Sequence, residues 1–384
     1  MISDRAGKYV MGIEGYKAYV PNKLPPQPSI DLNTELVSLL SLAERKLGRL
    51  DGVTQVLPNP DLFVAMYVHK EALLSSQIEG TQASFIDVLG ATKEKQGIES
   101  DAQDVINYVA AMNYALERVK ELPVCLRLLR EVHAILLRSG RGSKKYPGEF
   151  RTTQNWIGSS GCLIEDAAFI PPTVDTMNQA LTDLERYLHT DSGLPPLIKI
   201  ALIHAQFETI HPFIDGNGRI GRLLITFWLC YQGILSKPLL YLSHYFKENR
   251  TEYYEKLMDV RFKGAWEEWI GFFLRGIVSV SDEAVSSAQR IIELRDLKQQ
   301  VLVANVRNCT KHVRVLESLF VSPLITRLDV MRALDVSAPT ATSIVDSLVG
   351  LGILTDMTPD QKRNKEFLFD EYFKILTHGT ESVE

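Results

Sequence analysis

Along most of the chain, apolar residues return every three or four positions. From Asp31 onward Leu36, Leu39, Leu40 and Leu42 keep roughly that spacing, with Asp31 or Asn33 placed to cap the start of a helix. The same period returns over residues 60–78, 82–90, 101–120, 126–139, 174–189, 196–210 and 219–233, which predicts a mostly α-helical chain for the first 280 residues. Two stretches depart from it. Residues 1–30 carry Pro21, Pro25, Pro26 and Pro28 without a clear period and read as an arm or linker. Residues 146–172 place Pro147, Gly148, Gly158, Gly161, Pro171 and Pro172 around the short apolar pieces Asn155-Trp156-Ile157 and Ala168-Phe169-Ile170, a pattern that fits a β-hairpin or flap better than a helix.

After Trp266 an amphipathic stretch runs through Ile270, Phe273, Ile277, Val285, Ile291, Ile292 and Leu297 to about Val306, expected as more than one helix bridging two domains. His312 to Phe320, Arg327 to Leu334 and Pro339 to Leu351 then read as three helices. A hairpin of Ile353-Leu354 and Glu366-Phe367-Leu368-Phe369 follows, giving the order of a winged helix-turn-helix. The predicted fold is therefore mainly α, a helical core with a short β-hairpin flap and a C-terminal winged helix-turn-helix domain. Its expected divisions are an arm and first helix over 1–59, the core over 60–280, a linking helix over 281–308 and the winged domain over 309–384.

Composition changes this picture little: 45% hydrophobic and 23% charged residues suit a packed globular chain. A net charge of −5 gives no global attraction to phosphate backbones or anionic lipids. No apolar run resembles a signal peptide or a membrane span, so a cytoplasmic protein without membrane contact is expected. Cys125, Cys162, Cys230 and Cys309 lack metal or redox spacing and read as reduced thiols.

The chemistry concentrates in His211-Pro212-Phe213-Ile214-Asp215-Gly216-Asn217-Gly218-Arg219-Ile220-Gly221-Arg222, between two apolar helices. Pro212 stops the first helix, Gly216 and Gly218 permit a tight turn, and the second helix starts near Arg219. Loop amides and a helix N-terminus thus converge on one spot, which favours anions. Arg219 and Arg222, three apart on the first turn, can fork onto further phosphate oxygens. Asp215 offers a hard oxygen for Mg²⁺ or Mn²⁺, and His211 a base suited to neutral pH. A Walker loop is excluded by the missing lysine and preceding strand, and an EF-hand by Phe213 and Leu224 at the terminal ligand positions. A bare helix-helix turn would explain the glycines but not His211, Asp215 and two arginines.

This string resembles the signature of the Fic family, H-P-F-x-[DE]-G-N-G-R-x-x-R, at every specified position. The resemblance spans about residues 60–275. It implies that AMP passes from ATP to a Ser, Thr or Tyr hydroxyl of a target protein, or of the chain itself. In that reaction His211 acts as base, Asp215 holds the metal, Gly216, Asn217, Gly218, Ile220 and Gly221 cradle the nucleotide, and Arg219 and Arg222 steer the β- and γ-phosphates. Upstream, Ser75-Ser76-Gln77-Ile78-Glu79-Gly80 closes a predicted helix with Gly80 after its end. It is similar to the family's inhibitory sequence [ST]-x-x-x-E-[GN], which implies that Glu79 pairs with Arg222 against the γ-phosphate, with Ser75 as its motif partner. In some relatives the same glutamate helps to remove AMP.

Pro147-Gly148-Glu149-Phe150-Arg151 and Asn155-Trp156-Ile157-Gly158 resemble the family's flap entry, so the target protein is expected to dock along 146–172. Tyr253 and Tyr254 are candidates to line the adenine site, and a homodimer is also implied. DNA is not an expected partner: the second helix of the turn motif lacks Lys and Arg, and residues 309–384 hold eight Lys plus Arg against eleven Asp plus Glu. Transfer of another nucleotide or phosphate-containing group, or a nucleotide-sensing regulator of transcription, are the competing readings.

Overall fold

The structure, a computed structural model, describes residues 4–12, 15–56, 60–91, 100–159 and 161–380. Met1 to Ser3 and the flap's Ser160, which the sequence reading took in, lie outside the described residues.

Ten helices precede the C-terminal third: α1 (Thr34–Val56), α2 (Pro60–Ile78), α3 (Phe85–Ala91), α4 (Ser100–Arg118), α5 (Leu126–Leu136), α6 (Val174–His189), α7 (Pro196–Ile210), α8 (Asn217–Tyr231), α9 (Ser243–Glu248) and α10 (Arg250–Lys263). From Leu197 to Ile210 of α7, only Lys199 is not buried, and α8 is buried from Ile220 through Leu229. Helices apolar all round belong at the centre, and the others wrap this pair.

Residues Trp266–Asn305 form one helix, α11, rather than the several expected. It contains no proline, and its two glycines do not break it. Gly276 lets Leu242 and Tyr245 approach so closely that an added Cβ would meet them at 2.7–2.9 Å. Buried positions then continue from Val280 through Leu302, and α1 lies along this helix, tied by Lys46 Nζ to Asp282 Oδ1 at 2.7 Å.

The predicted N-terminal arm holds an antiparallel hairpin, β1 (Lys8–Met11) with β2 (Lys17–Val20). The Tyr19 amide donates to Ile170 O at 2.9 Å, so the hairpin rests on one side of the flap. Among the described residues the flap is paired within itself at Ile157 and Phe169, where each amide donates to the other's carbonyl at 2.8 and 3.1 Å.

Beyond α11 the predicted element order is present: α12 (Thr310–Leu319), β3 (Leu324–Thr326), α13 (Arg327–Leu334), α14 (Ala338–Gly350), β4 (Thr355–Asp356) and β5 (Glu366–Leu368). The small sheet is antiparallel in the order β3-β5-β4. Thr326 and Asp329 make a reciprocal capping box at the start of α13. A further helix, α15 (Asp370–Thr377), not foreseen from the sequence, packs back onto α2 and α11. Among the described residues no helix is long and apolar enough to cross a membrane.

Candidate active site

Helix α7 ends where His211 turns into the left-handed region (φ 50°), a conformation uncommon for a residue with a Cβ. The chain re-enters a helix at α8 through Gly216 (φ 80°). Between them the loop is stapled by Asn217. The Phe213 amide donates to Asn217 Oδ1 and Asn217 Nδ2 donates to Phe213 O, both at 2.8 Å. The Asn217 side chain is thereby committed to the loop, leaving only its amide to a ligand.

Two neighbours brace the same loop. From α5, His133 accepts the Gly148 amide on Nδ1 at 2.8 Å, so its proton lies on Nε2, which donates to Asp215 O at 3.0 Å. Its ring stacks on Phe213 with centroids 3.7 Å apart. From the flap, Arg151 Nε donates to His211 O at 3.1 Å and Asn155 Nδ2 to Phe213 O at 2.9 Å. Sequence reading passed over His133, because a lone histidine on an apolar helix face carries no spacing signal, and took Arg151 and Asn155 only as part of the flap.

His211 Nδ1 lies 3.4 Å from Glu208 O. A carbonyl can only accept, so the proton sits on Nδ1 and Nε2 keeps its lone pair. Burial first, then the cationic Arg261 and Arg151, depress the imidazole to about 4, against the pull of Glu79. It is neutral at physiological pH and able to take a proton.

The first three amides of α8, those of Asn217, Gly218 and Arg219, have no carbonyl one turn earlier within the helix. With Gly216 they make up the loop and helix start to which the sequence assigned the cradle. Ile220 and Gly221 do not belong to it. The Ile220 amide donates to Gly216 O at 3.0 Å and its side chain is wholly buried, while Gly221 is the contact point of α8 with α7, where a Cβ would lie 2.1 Å from Glu208 Oε1.

Arg219 is 4% exposed; Nη2 reaches Asp215 Oδ1 at 3.3 Å and Nη1 lies 3.9 Å from Asp104 Oδ2, while among the described residues Nε and Nη1 have no hydrogen-bond partner. Buried guanidinium donors without hydrogen bonds, beside helix N-terminal amides, are what an anionic guest would satisfy. The Asp215 carboxylate stays 40% exposed, and among the described residues no cluster of three His, Cys, Asp or Glu could hold a metal alone. A cation here would need water and ligand oxygens for the rest of its shell, as Mg²⁺ prefers.

Arg222 is engaged through Nε and Nη2. Nε donates to Ser75 Oγ and Nη2 to Ser75 O, each at 2.9 Å, and Nη2 also donates to Glu79 Oε1 at 2.7 Å. Gly80 (φ 88°) ends α2 in the left-handed turn predicted for it and presents Glu79 toward α8. Gly218 makes room, since a Cβ there would fall 2.2 Å from Glu79 Oε1. Desolvation pushes the Glu79 carboxyl up, but Arg222, with Arg219 and His211 behind it, more than reverses this and holds the group below its ordinary value.

Tyr254 is 38% exposed on α10, with the Arg250 guanidinium 5.4 Å over its ring. Tyr253 is buried, and its hydroxyl lies 2.9 Å from His204 Nε2, so it belongs to the core rather than to a binding surface. A cavity of about 520 Å³ adjoins the end of α2, lined on either side of Glu79 by Gln77, Gly80 and Thr81 and across from them by Lys247, Asn249 and Arg250. That volume suits a nucleotide-sized ligand.

A tight loop between two central helices, with an imidazole at one end and two buried arginines at the other, marks the centre of this helical fold. The family models "Fic/DOC family N-terminal" and "Fic/DOC family" match residues 37–117 and 123–229, and the chain belongs to the Fic/DOC family. Protein adenylyltransferase Fic of Drosophila melanogaster is 27% identical over 231 residues, covering 56% of this chain and 44% of its own length. That of Drosophila grimshawi is 27% identical over 187 residues, covering 47% and 35%. The chain thus spans less than half the length of these curated relatives. Among solved structures, a Fic family protein from Desulfovibrio desulfuricans matches 88% of this chain and 97% of its own with a TM-score of 0.58 at 20% identity. A Fic domain containing signaling protein from Bacteroides thetaiotaomicron matches 64% and 95% with a TM-score of 0.51 at 19% identity. These last two likenesses concern the fold.

Proposed function

We propose that this chain is a protein adenylyltransferase that moves AMP from ATP to a hydroxyl side chain of a target protein or of itself, restrained by Glu79. The observation that carries the reading is a neutral imidazole with a free Nε2 on the same loop as an amide cradle and two buried arginines. The names of the curated relatives support the same reaction.

In this reading the target hydroxyl gives its proton to His211 Nε2 while its oxygen bonds to the α-phosphorus. The bond from that phosphorus to the bridging oxygen breaks, and pyrophosphate leaves. The amides of Gly216 to Arg219 and the free donors of Arg219 stabilise the charge on the phosphates, and positioning does most of the rest. Asp215 would hold a divalent cation, Mg²⁺ or Mn²⁺, which when bound neutralises phosphate charge. Tyr254 and the cavity beside Glu79 are offered for the adenosine end. Strand addition of the target is confined to one edge of the flap, through Trp156 and Gly158, because Tyr19 already bonds the Ile170 side.

The brake is the Glu79–Arg222 pair, which occupies the guanidinium that the γ-phosphate needs. Labelling with ATP marked at the α-phosphate, and in parallel at the γ-phosphate, tests both claims in wild type, Glu79→Gly and Glu79→Gly/His211→Ala. α-Label alone, stronger in Glu79→Gly and reduced about 10²-fold or more without His211, is the expected result. γ-Label would mean kinase-like transfer, and no label from either position would redirect the assignment to another nucleotide donor. The proposal extends to a part for Glu79 in the reverse removal of AMP, read as release of AMP from labelled protein that Glu79→Gly abolishes.

A further inference from the structure

Arg261, on α10, is a buried cation (4% exposed) whose hydrogen-bond partners among the described residues are all neutral. Its Nε donates to Thr209 Oγ1 at 3.3 Å, Nη2 to Glu208 O at 3.0 Å, and Nη1 lies 3.2 Å from Met258 Sδ. The guanidinium also sits 4.1 Å over the ring of Phe169, the flap residue bridged to Ile157. Among the described residues it makes no ion pair, and a desolvated charge without a counter-ion is costly enough to require another use. The candidate chemistry of the sequence motif does not include it.

The contacts converge on His211. Glu208 O is a last-turn carbonyl of α7, left without a helical partner by the chain reversal, and it accepts both Arg261 Nη2 and His211 Nδ1. We propose that Arg261 is a positioning residue for the transfer reaction: it fixes the carbonyl that sets the His211 tautomer and ties that base to the flap through Phe169. The inference rests on the adenylyltransferase reading for its kinetics but not for its geometry.

The charges facing His211 are Arg261 from α10, Arg151 from the flap and Glu79 from the end of α2. The two arginines oppose protonation, after burial, and Glu79 favours it. Removing the Arg261 charge should therefore let the imidazole titrate at higher pH, while a lysine keeping the charge should not.

The test compares Arg261→Met and Arg261→Lys in the Glu79→Gly chain. Arg261→Met is expected to lower kcat about tenfold or more with KM for ATP changed by no more than about twofold, and to move the acid limb of the pH–rate profile upward. Arg261→Lys should keep the parent's acid limb. Histidine NMR titration, with the His211 signal identified by its loss in His211→Ala, reads the same shift without catalysis. An unmoved His211 titration in Arg261→Met overturns the inference, as does a loss shared by kcat and KM together with a lowered unfolding midpoint. If the Glu79→Gly parent transfers no AMP, the reaction assignment fails while the NMR titration still decides the role of Arg261.

Discussion

Glu208 carries a carboxyl group that is buried, packed against the backbone of Gly221, and among the described residues without a hydrogen-bond partner on Oε1. Burial raises it to about 7, against the pull of Arg222 and with Glu79 adding to the rise. The protonated form is favoured in the folded chain, so this group's contribution to stability is complete below its unfolded value near 4.5 and is lost as the pH rises through about 7. Glu208→Gln, which cannot ionise, should gain on wild type by a few degrees of Tm between about pH 5 and about pH 8 in thermal unfolding scans. A difference in Tm that stays constant with pH would mean that Glu208 is not held protonated. Nothing in the sequence marks this group, because Glu208 follows Phe207 on a helix that is buried all round. The legible residues were those with a motif spacing: His211, Asp215, Arg219, Arg222 and Glu79 are brought together as the pattern implied. Ile220, Gly221 and Tyr253 share that stretch or its neighbourhood but serve packing, a distinction that depends on which way a side chain points and is not written in spacing.

Helices α7 and α8 meet at Gly221 with no room for a side chain there. A methyl group there would fall 2.1 Å from Glu208 Oε1 and 3.3 Å from the His204 ring, whose Nδ1 donates to Gly221 O at 2.9 Å. Gly221→Ala must therefore spread the two helices or force Glu208 off its rotamer, a cost of about 1–3 kcal/mol. Because the same two helices carry His211 and the cradle, ATP binding by titration calorimetry should weaken alongside the fall in Tm. A variant with wild-type Tm would mean that this contact is looser than its geometry. The helices themselves were legible because their apolar period is strong. The β1–β2 hairpin was not, since four-residue strands broken by Gly12 and Gly15 give too little alternation to read. The unbroken length of α11 was missed for the opposite reason, its buried face drifting around the helix so that one element resembles several.

At the scale of the whole molecule the C-terminal module contacts the end of α2, which carries the proposed brake. Phe373 of α15 meets Phe85 edge-on at 6.0 Å, and the Gln77 amide nitrogen, two residues before Glu79, donates to Thr380 O at 3.3 Å and Ala83 O at 3.2 Å. Lys247 Nζ donates to Gln77 Oε1 at 2.8 Å, and Glu283 of α11 holds both Lys70 of α2 at 3.1 Å and His378 at 3.6 Å. The alternative use of the module, reading DNA, finds little support in its charge. Its second helix α14 presents Asp346, paired with Arg327 at 2.8 Å, where a groove-reading helix would carry cations. Its contacts instead reach the last turn of α2, beside the Glu79 that pairs with Arg222. Phe373→Ala should loosen that turn and raise self-labelling by wild-type protein severalfold, toward the level of Glu79→Gly. In the Glu79→Gly chain, where no carboxylate remains to be held, the same substitution should add nothing. Labelling of the four proteins side by side reads this dependence directly, and an equal rise in both backgrounds would place the action of Phe373 outside the brake.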